Sequence, residues 1–362
     1  MGHRSITDDT HIEDVVPIIQ PGLLIHELPL NDSDQERIEW NRDSITKILT
    51  GQSNRVFAVV GPCSIHDKKS ALEIADKIAD IREELGDALE VAMRVYFEKP
   101  RTTIGWKWLI NDPKLDESCD INLGLRTARE LLLEVSRKGV PTTTEILDVI
   151  TPQYIADALD WVAIGARTTE SQVHRQMASG LSMPVGFKNG TDGGVDIALD
   201  AIESAAGRHS FLSVTKDGVA AIVRTKWNTW HVILRGGRDS TNYDAASIKA
   251  VQEKLRARGM NPQAMVDFSH NNTMDQHRKK DPQRQMVVGE SVAELIESGS
   301  HAVHSFMMES HLHAWKYNHT PGQHDPASIP YGVSITDGCL NWKDTETLLR
   351  RLATAVRERN KK

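Results

Sequence analysis

Short apolar runs recur along the chain, and each is followed by a polar turn and a stretch whose apolar residues have helical spacing. Eight such runs, rich in Val, Ile, Phe and Met, predict β-strands at 55–60, 89–96, 140–145, 161–165, 183–187, 231–234, 264–268 and 301–308. Helical periodicity lies between them, for example over 69–85, 124–138, 193–206, 245–258 and 287–298. Because successive parallel strands need such crossovers, the alternation predicts an α/β protein whose eight units close into a (β/α)8 TIM barrel.

Two segments do not follow this alternation. Residues 1–50 precede the first strand and include a polar helix over 32–49 that starts with an Asn-Asp-Ser-Asp capping signal, so we expect an N-terminal extension outside the barrel. At 210–225, two alternating runs flank Lys216-Asp217-Gly218, a turn signal that predicts an inserted β-ribbon. The catalytic barrel would then occupy residues 51–362.

The overall composition narrows the class of protein. A chain of 362 residues fits either two ordinary domains or one barrel with insertions. A net charge of −7 argues against nucleic-acid or anionic membrane partners, although a local basic cleft remains compatible with it. No apolar run is long enough to span a bilayer, and the first residues lack the apolar core of a signal peptide. Three cysteines without a Cys-x-x-Cys pair indicate free thiols in a reducing compartment, so we expect a cytoplasmic protein.

Cationic side chains follow many of the predicted strands. Catalytic groups of a (β/α)8 barrel stand at the carboxyl ends of its strands, so the residues at these ends are candidates. The cations found there are Arg94, Lys99, Arg167, Lys188 and Arg235, and the third strand ends at the acid Glu145. Any one of the cations alone is better explained by a surface ion pair. Together, in the same barrel register, they predict a pocket for a ligand that carries both phosphate and carboxylate.

A second set of strand-end residues is typical of a metal site. It comprises Cys63, His270, Glu309 and the downstream Asp337. A mixed sulfur, nitrogen and oxygen shell suits Mn²⁺, Fe²⁺, Co²⁺ or Zn²⁺ better than Ca²⁺ or Mg²⁺. A lone Cys is more often a small buried apolar residue, so the prediction depends on the shared barrel register. Such a metal beside a phosphate pocket would polarise a carbonyl group.

Eight longer motifs contain these residues. They are GPCSIHD (61–67), MRVYFEKPRTTIGWK (93–107), IGARTTESQVHR (164–175), PVGFKNGTDG (184–193), ILRGG (233–237), VDFSH (266–270), MESHL (308–312) and YGVSITDGC (331–339). Over nearly the whole chain they resemble the microbial, feedback-regulated type I 3-deoxy-D-arabino-heptulosonate 7-phosphate (DAHP) synthases. The resemblance implies a transferase that condenses phosphoenolpyruvate with erythrose 4-phosphate and water, giving DAHP and phosphate, as the first step of the shikimate pathway.

The resemblance also implies a role for each candidate residue. The metal ligands would be Cys63, His270, Glu309 and Asp337, and phosphoenolpyruvate would bind to Arg94, Lys99, Arg167, Lys188 and Arg235. Erythrose 4-phosphate would lie along Lys99, Pro100, Arg101 and Thr102, with Arg101 at its phosphate. Glu145 would help to position the reacting water, and either Lys99 or His270 would give a proton to the new alkoxide.

The N-terminal extension resembles the regulatory segment of the family. The positions that correspond to an inhibitor pocket are Asp8, Asp9, Ile146, Pro152, Gln153, Leu181, Ser182, Phe211, Ser213 and Val223. We therefore expect inhibition by an aromatic amino acid, in a homodimer or homotetramer. The alternative is that this surface only packs one subunit against another.

Four tryptophans depart from the family pattern, which has small or polar residues there: Trp108, Trp227, Trp230 and Trp315. A Trp in place of Gly loses freedom at positive φ, so these loops must be rebuilt. Such changes leave open a paralogue with another aldose phosphate acceptor, or a catalytically silent regulatory homologue. The intact metal set argues against the silent homologue. The Lys-Pro-Arg-Thr segment argues against the related octulosonate phosphate synthases, which use arabinose 5-phosphate.

Overall fold

Eight parallel strands form a closed barrel, which confirms the predicted (β/α)8 architecture. The computed structural model describes residues 7–100, 105–226 and 228–362. The strands are β1 (Val56–Gly61), β2 (Leu89–Arg94), β3 (Thr142–Glu145), β4 (Trp161–Ile164), β5 (Val185–Lys188), β6 (Ser210–Val214), β7 (Ala220–Arg224), β8 (Trp230–Leu234), β9 (Ala264–Asp267) and β10 (Val303–Glu309). The barrel order is β1-β10-β9-β8-β5-β4-β3-β2, while β6 and β7 form a separate antiparallel ribbon. Bounds of the eight predicted barrel strands differ from these by at most two residues.

Helices connect the barrel strands and precede the first one. They are α1 (Pro21–Glu27), α2 (Asp32–Leu49), α3 (Lys68–Leu85), α4 (Trp108–Asn111), α5 (Ile121–Arg137), α6 (Pro152–Ile155), α7 (Gln172–Gly180), α8 (Asp196–Ala206), α9 (Ala245–Ala257), α10 (Arg284–Glu297) and α11 (Trp342–Arg359). Within the described ranges, none of these helices combines the length and apolar character that crossing a membrane requires.

Helix α2 closes the amino-terminal end of the barrel. It starts with a capping box, in which the Asn31 side chain accepts from the Asp34 N–H at 2.8 Å and the Asp34 carboxylate accepts from the Asn31 N–H at 3.2 Å. Its apolar residues Ile45, Ile48 and Leu49 join one buried cluster with inward-facing strand residues. The extension is therefore outside the barrel, as expected, but its helix also completes the core.

The opposite end of the barrel collects polar side chains. Five strands end there in a buried charged residue, namely Arg94, Glu145, Lys188, Asp267 and Glu309. Apolar residues fill the strand positions behind them, so these charges lie above a dry core. Because isolated charges are costly to bury, each needs a partner at this rim.

Candidate active site

A buried ion network occupies the centre of the rim. The Lys188 ammonium lies 3.0 Å from Glu145 Oε2 and 3.8 Å from Asp267 Oδ2, and all three side chains are buried. Burial alone would raise the pKa of Glu145, but the Lys188, Lys99 and Arg94 cations together hold it below its ordinary value. In the same way burial opposes ionisation of Asp267, and His270 and Lys188 hold its pKa well below the usual range. Both carboxylates are therefore ionised at neutral pH.

Gly165 leaves room for the Glu145 carboxylate of this network. A Cβ atom at Gly165, just after β4, would lie 2.4 Å from Glu145 Oε1, so only glycine fits beside the carboxylate. This close approach gives a physical reason for the glycine of the Ile-Gly-Ala-Arg motif.

Arg94, at the end of β2, has two of its guanidinium nitrogens paired and the third unpaired among the described residues. Its Nε donates to the Pro62 carbonyl at 3.2 Å, and its Nη2 donates to Glu309 Oε1 at 3.2 Å. Its guanidinium lies over the Tyr96 ring, 3.8 Å from the ring centroid. The Nη1 atom is buried and has no hydrogen-bond partner among the described residues. A buried unpaired guanidinium donor is costly unless an anion binds to it.

Arg235 and Arg167 extend the cationic wall. The Arg235 Nε atom is also buried without a partner in the part of the chain that the structure describes. The Arg235 backbone N–H donates to Asn189 Oδ1 at 2.8 Å, which fixes the start of this segment. Arg167 Nη1 donates to the Pro100 carbonyl, so it holds the Lys-Pro segment in place. One cleft is lined by Lys99, Pro100, Glu145, Ala166, Arg167, Lys188, Thr191, Arg235 and His270.

His270 joins the cationic cleft to the predicted metal site. Its Nε2 lies 2.8 Å from Lys99 Nζ and 3.8 Å from Glu309 Oε1. Its Nδ1 lies 2.8 Å from Asp267 Oδ2 and 2.7 Å from Ser269 Oγ. Burial lowers the pKa of His270 well below its ordinary value, although Asp267 opposes the shift. A neutral imidazole that keeps its proton on Nδ1, where Asp267 Oδ2 and Ser269 Oγ lie, presents a lone pair at Nε2, as a metal ligand requires.

Three of the four predicted metal ligands converge. One ligand atom each of Cys63, Glu309 and Asp337 lies within 4.8 Å of the other two, whereas His270 stands beside Glu309 and contacts Lys99. Burial, and then Glu309, raise the pKa of the Cys63 thiol to about 12. Two carboxylates and a buried thiol repel one another once ionised, and a divalent cation removes that repulsion and favours the thiolate. The donor set therefore fits a transition metal.

Some predicted site residues lie elsewhere. Arg101 and Thr102 fall outside the described residues, as does Trp227. Trp108 and Trp315 have φ values of 76° and 71°, so both adopt the left-handed backbone conformation despite their bulk. Trp230 is the first residue of β8, at the amino-terminal end of the barrel and away from the rim.

Most of the positions predicted for an inhibitor pocket lie in the N-terminal extension, in and near α6, and in the ribbon. The Tyr154 hydroxyl of α6 donates to the Ile19 carbonyl at 2.6 Å, and Lys216 of the ribbon turn donates to the Gln153 carbonyl. Phe211 and Val223 face each other across the ribbon. Leu181 and Ser182 line a separate cavity with helix α2. Asp8 and Asp9 are exposed, and Asp8 accepts a hydrogen bond from the neighbouring Asp9 N–H.

Sequence reasoning missed two residues of this site, Asp267 and Tyr96. Asp267 orients His270 and pairs with Lys188, while Tyr96 supports Arg94 and lies 6.0 Å from the Lys188 ammonium. The signal for Asp267 was available, because an acid ends the apolar run Ala-Met-Val within a motif already singled out. Tyr96 gave no such signal, since a buried tyrosine near a strand end is ordinary.

Comparisons with known proteins agree with this geometry. A family profile described as the DAHP synthetase I family matches residues 30–350, so the chain belongs to that family. It is 49% identical over 353 residues to the Phe-sensitive phospho-2-dehydro-3-deoxyheptonate aldolase of Escherichia coli (strain K12), covering 97% of this chain and 98% of that protein. It is 47% identical over 354 residues to the Trp-sensitive protein of Enterobacter agglomerans, covering 98% and 99% of the two chains.

A solved structure confirms the fold at high similarity. The phospho-2-dehydro-3-deoxyheptonate aldolase of Francisella tularensis SCHU S4 superposes with a TM-score of 0.91 at 44% sequence identity. The match covers 96% of this chain and 99% of that one. The family and fold expected from the sequence are thus confirmed.

Proposed function

We propose that this chain is a DAHP synthase that condenses phosphoenolpyruvate with erythrose 4-phosphate and water, releasing phosphate. The observation that carries the proposal is the convergence of five cations and the Cys63, Glu309 and Asp337 group at one rim of the barrel. Membership of a family whose relatives are named for this product supports it.

The cationic wall would bind phosphoenolpyruvate. The unpaired donors of Arg94 and Arg235 would receive its anionic oxygens, and Lys188 and Lys99 would add positive charge nearby. Holding two anionic substrates in register is itself a large part of the catalysis, because they repel each other in water.

A divalent ion held by Cys63, Glu309, Asp337 and His270 would make the aldehyde of erythrose 4-phosphate more electrophilic, and Mn²⁺, Fe²⁺, Co²⁺ and Zn²⁺ all suit this donor set. C3 of the enol would then form a bond to the aldehyde carbon. Of the two expected proton donors, Lys99 would deliver a proton to the resulting alkoxide, since the Nε2 lone pair of His270 would be used for the ion. Glu145 would orient the water that adds at C2 before phosphate leaves.

We further propose feedback inhibition by an aromatic amino acid in a homodimer or homotetramer. The contacts between the N-terminal extension, α6 and the ribbon support a pocket there, and relatives are named Phe-sensitive, Trp-sensitive or tyrosine-inhibited. Because Cys63, Cys119 and Cys339 are free thiols, we assign the protein to the cytoplasm.

The decisive experiment measures phosphate release from phosphoenolpyruvate by the purified chain. Erythrose 4-phosphate or arabinose 5-phosphate is supplied, with and without Mn²⁺ after chelation. We expect release that requires both the metal and an aldose phosphate, with erythrose 4-phosphate preferred. Release without an aldehyde, or full activity after chelation, would overturn the mechanism. Preference for arabinose 5-phosphate would reassign the acceptor.

A further inference from the structure

Three bulky residues around the cleft have left-handed backbone geometry. Their φ values are 55° for His270, 76° for Trp108 and 71° for Trp315. This conformation is unfavourable for large side chains, and it persists only where the surroundings impose it, which happens most often at functional sites. His270 already belongs to the site described above, so the two tryptophans need an explanation.

Trp108 is the buried one of the two tryptophans. Its side chain is 2% exposed, whereas that of Trp315 is 56% exposed. Its ring stacks on Trp106, with 6.1 Å between ring centroids and 6° between planes. Trp106 is itself anchored, because its Nε1 donates to the Asp112 carbonyl at 2.8 Å. The indole of Trp108 is therefore held by a fixed neighbour.

Simple core filling does not account for Trp108. Its Nε1 is buried without a hydrogen-bond partner among residues 7–100, 105–226 and 228–362. The position thus combines an unfavourable φ with an unpaired buried donor. An apolar side chain would pack here without an unpaired donor, so the indole needs a reason beyond packing.

The ring lies beside a charged group of the cleft. Lys99 Nζ is 5.9 Å from the Trp108 ring centroid, 2.8 Å from His270 Nε2 and 3.9 Å from Glu309 Oε1. A cation within about 6 Å of an indole face is attracted to it, most strongly when water is excluded. Lysine has a long flexible stem, so its ammonium needs such contacts to stay in one place.

We propose that Trp108 is a positioning residue that holds the Lys99 ammonium against the phosphoenolpyruvate site. The inference rests on the proposed function, because it assigns Lys99 to that substrate. The interaction is between the face of the Trp108 ring and the Lys99 ammonium, and the indole N–H is not required for it. Trp108 thereby acts on the substrate through Lys99.

The test compares Trp108→Phe with Trp108→Leu in the full-length chain. The two replacements are both apolar and smaller than Trp, and both leave a side chain at positive φ, but only Phe keeps an aromatic face. The dissociation constant of phosphoenolpyruvate is measured by calorimetry after chelation and again with Mn²⁺, alongside KM and kcat. We expect the Leu variant to bind about tenfold more weakly and the Phe variant about twofold, as loss of a desolvated cation–π contact predicts.

A structural defect alone would give a different pattern. Partial misfolding lowers the active fraction, and hence kcat, while the dissociation constant of the folded molecules stays the same. Trp40→Leu is the matched control, because Arg82 lies 5.8 Å from the centroid of that ring, and Trp40 is exposed on helix α2, at the other end of the barrel from the cleft. We expect this control to bind phosphoenolpyruvate as the wild type does.

Two results would overturn the inference while leaving the proposed function intact. One is wild-type affinity in Trp108→Leu, and the other is equal weakening by Phe and Leu. Failure of the wild-type chain to bind phosphoenolpyruvate would overturn the proposed function and this inference with it.

Discussion

Two buried acids at the carboxyl rim of the barrel are charged, whereas two buried histidines at its amino-terminal end are neutral. At the carboxyl rim, Lys188 lies between Glu145 and Asp267, and opposite charge overcomes burial so that both acids stay ionised. At the amino-terminal end, His231 accepts a hydrogen bond from Trp161 Nε1 at 2.9 Å and packs edge-on against His304, with 5.1 Å between ring centroids. Burial there lowers the pKa of His231 to about 3 and that of His304 well below its ordinary value.

This difference indicates that the buried groups at the rim serve catalysis, whereas the buried histidines at the other end serve stability. At the rim, buried charges have partners of opposite sign and surround a space for an anionic ligand. At the other end, His231 and His304 are neutral and serve the packing of the barrel core. Substitutions at the rim should therefore abolish activity, while those at the other end should change stability and its pH dependence.

The largest effect is expected for Lys188→Ala. Removing this cation leaves Glu145 and Asp267 buried without their shared partner, which should cost about 3–5 kcal/mol of stability. Substrate binding should suffer as well, with kcat/KM lowered about a thousandfold or more. Steady-state kinetics measures the loss of kcat/KM, and denaturant unfolding measures the loss of stability.

Lys254→Ala, which breaks an exposed pair with Asp196, is the control for this prediction. It should change kcat/KM and the free energy of unfolding little. Normal activity in Lys188→Ala would remove the ion network from the mechanism.

Replacement of Cys63 should act mainly on the metal. We expect Cys63→Ala to weaken Mn²⁺ binding at least tenfold, because a thiolate ligand is lost from the group with Glu309 and Asp337. Equilibrium dialysis followed by metal analysis gives the affinity. The exposed Cys119 provides the control Cys119→Ala. Unchanged affinity in Cys63→Ala would exclude Cys63 from the ligand set.

The amino-terminal histidines should make the fold sensitive to acid. In the unfolded chain they bind protons below about pH 6.5, but in the folded barrel they resist protonation down to much lower pH. Above about pH 6.5 the two histidines are neutral in both states and do not change the free energy of unfolding. Below that pH the unfolded chain binds protons that the folded barrel does not, so the free energy of unfolding falls by up to about 1.4 kcal/mol per pH unit for each histidine.

His304→Leu tests this argument by removing one proton-binding site. The slope of unfolding free energy against pH, measured between pH 6 and 4.5, should become shallower than in the wild type. Activity at neutral pH should change little, because His304 is remote from the rim. An unchanged slope would show that other groups cause the acid sensitivity.

The smallest effect is expected at Trp315. Its ring is largely exposed while its φ is 71°, so Trp315→Gly relieves strain and loses little packing. The free energy of unfolding should change by less than about 1 kcal/mol relative to wild type, since glycine also gains entropy when unfolded. Trp315→Ala, which keeps the strain without the ring, should be less stable than Trp315→Gly by about 1–2 kcal/mol. Equal stability of the two variants would mean that this φ is not a source of strain.

The sequence predicted the barrel well because its strands are continuous apolar runs with polar ends. The same ends located Arg94, Glu145 and Lys188, since parallel strands of a barrel deliver their last residues to one rim. Asp267 also stands at such an end, but its pairing with Lys188 and the packing of α2 depend on contacts between residues far apart in the chain. Lys99 offers a similar case, since its contact with Trp108 depends on how a rebuilt loop folds back over the cleft.

One measurement tests the central claim directly: a crystal structure of this chain with phosphoenolpyruvate and Mn²⁺, with the ion located by its anomalous signal. We expect Mn²⁺ to be bound by Cys63, Glu309, Asp337 and His270, with Lys99 released from His270 Nε2. We also expect phosphoenolpyruvate oxygens to bind to Arg94 and Arg235. Mn²⁺ bound away from the Cys63 group, or phosphoenolpyruvate bound at the amino-terminal end of the barrel, would contradict it.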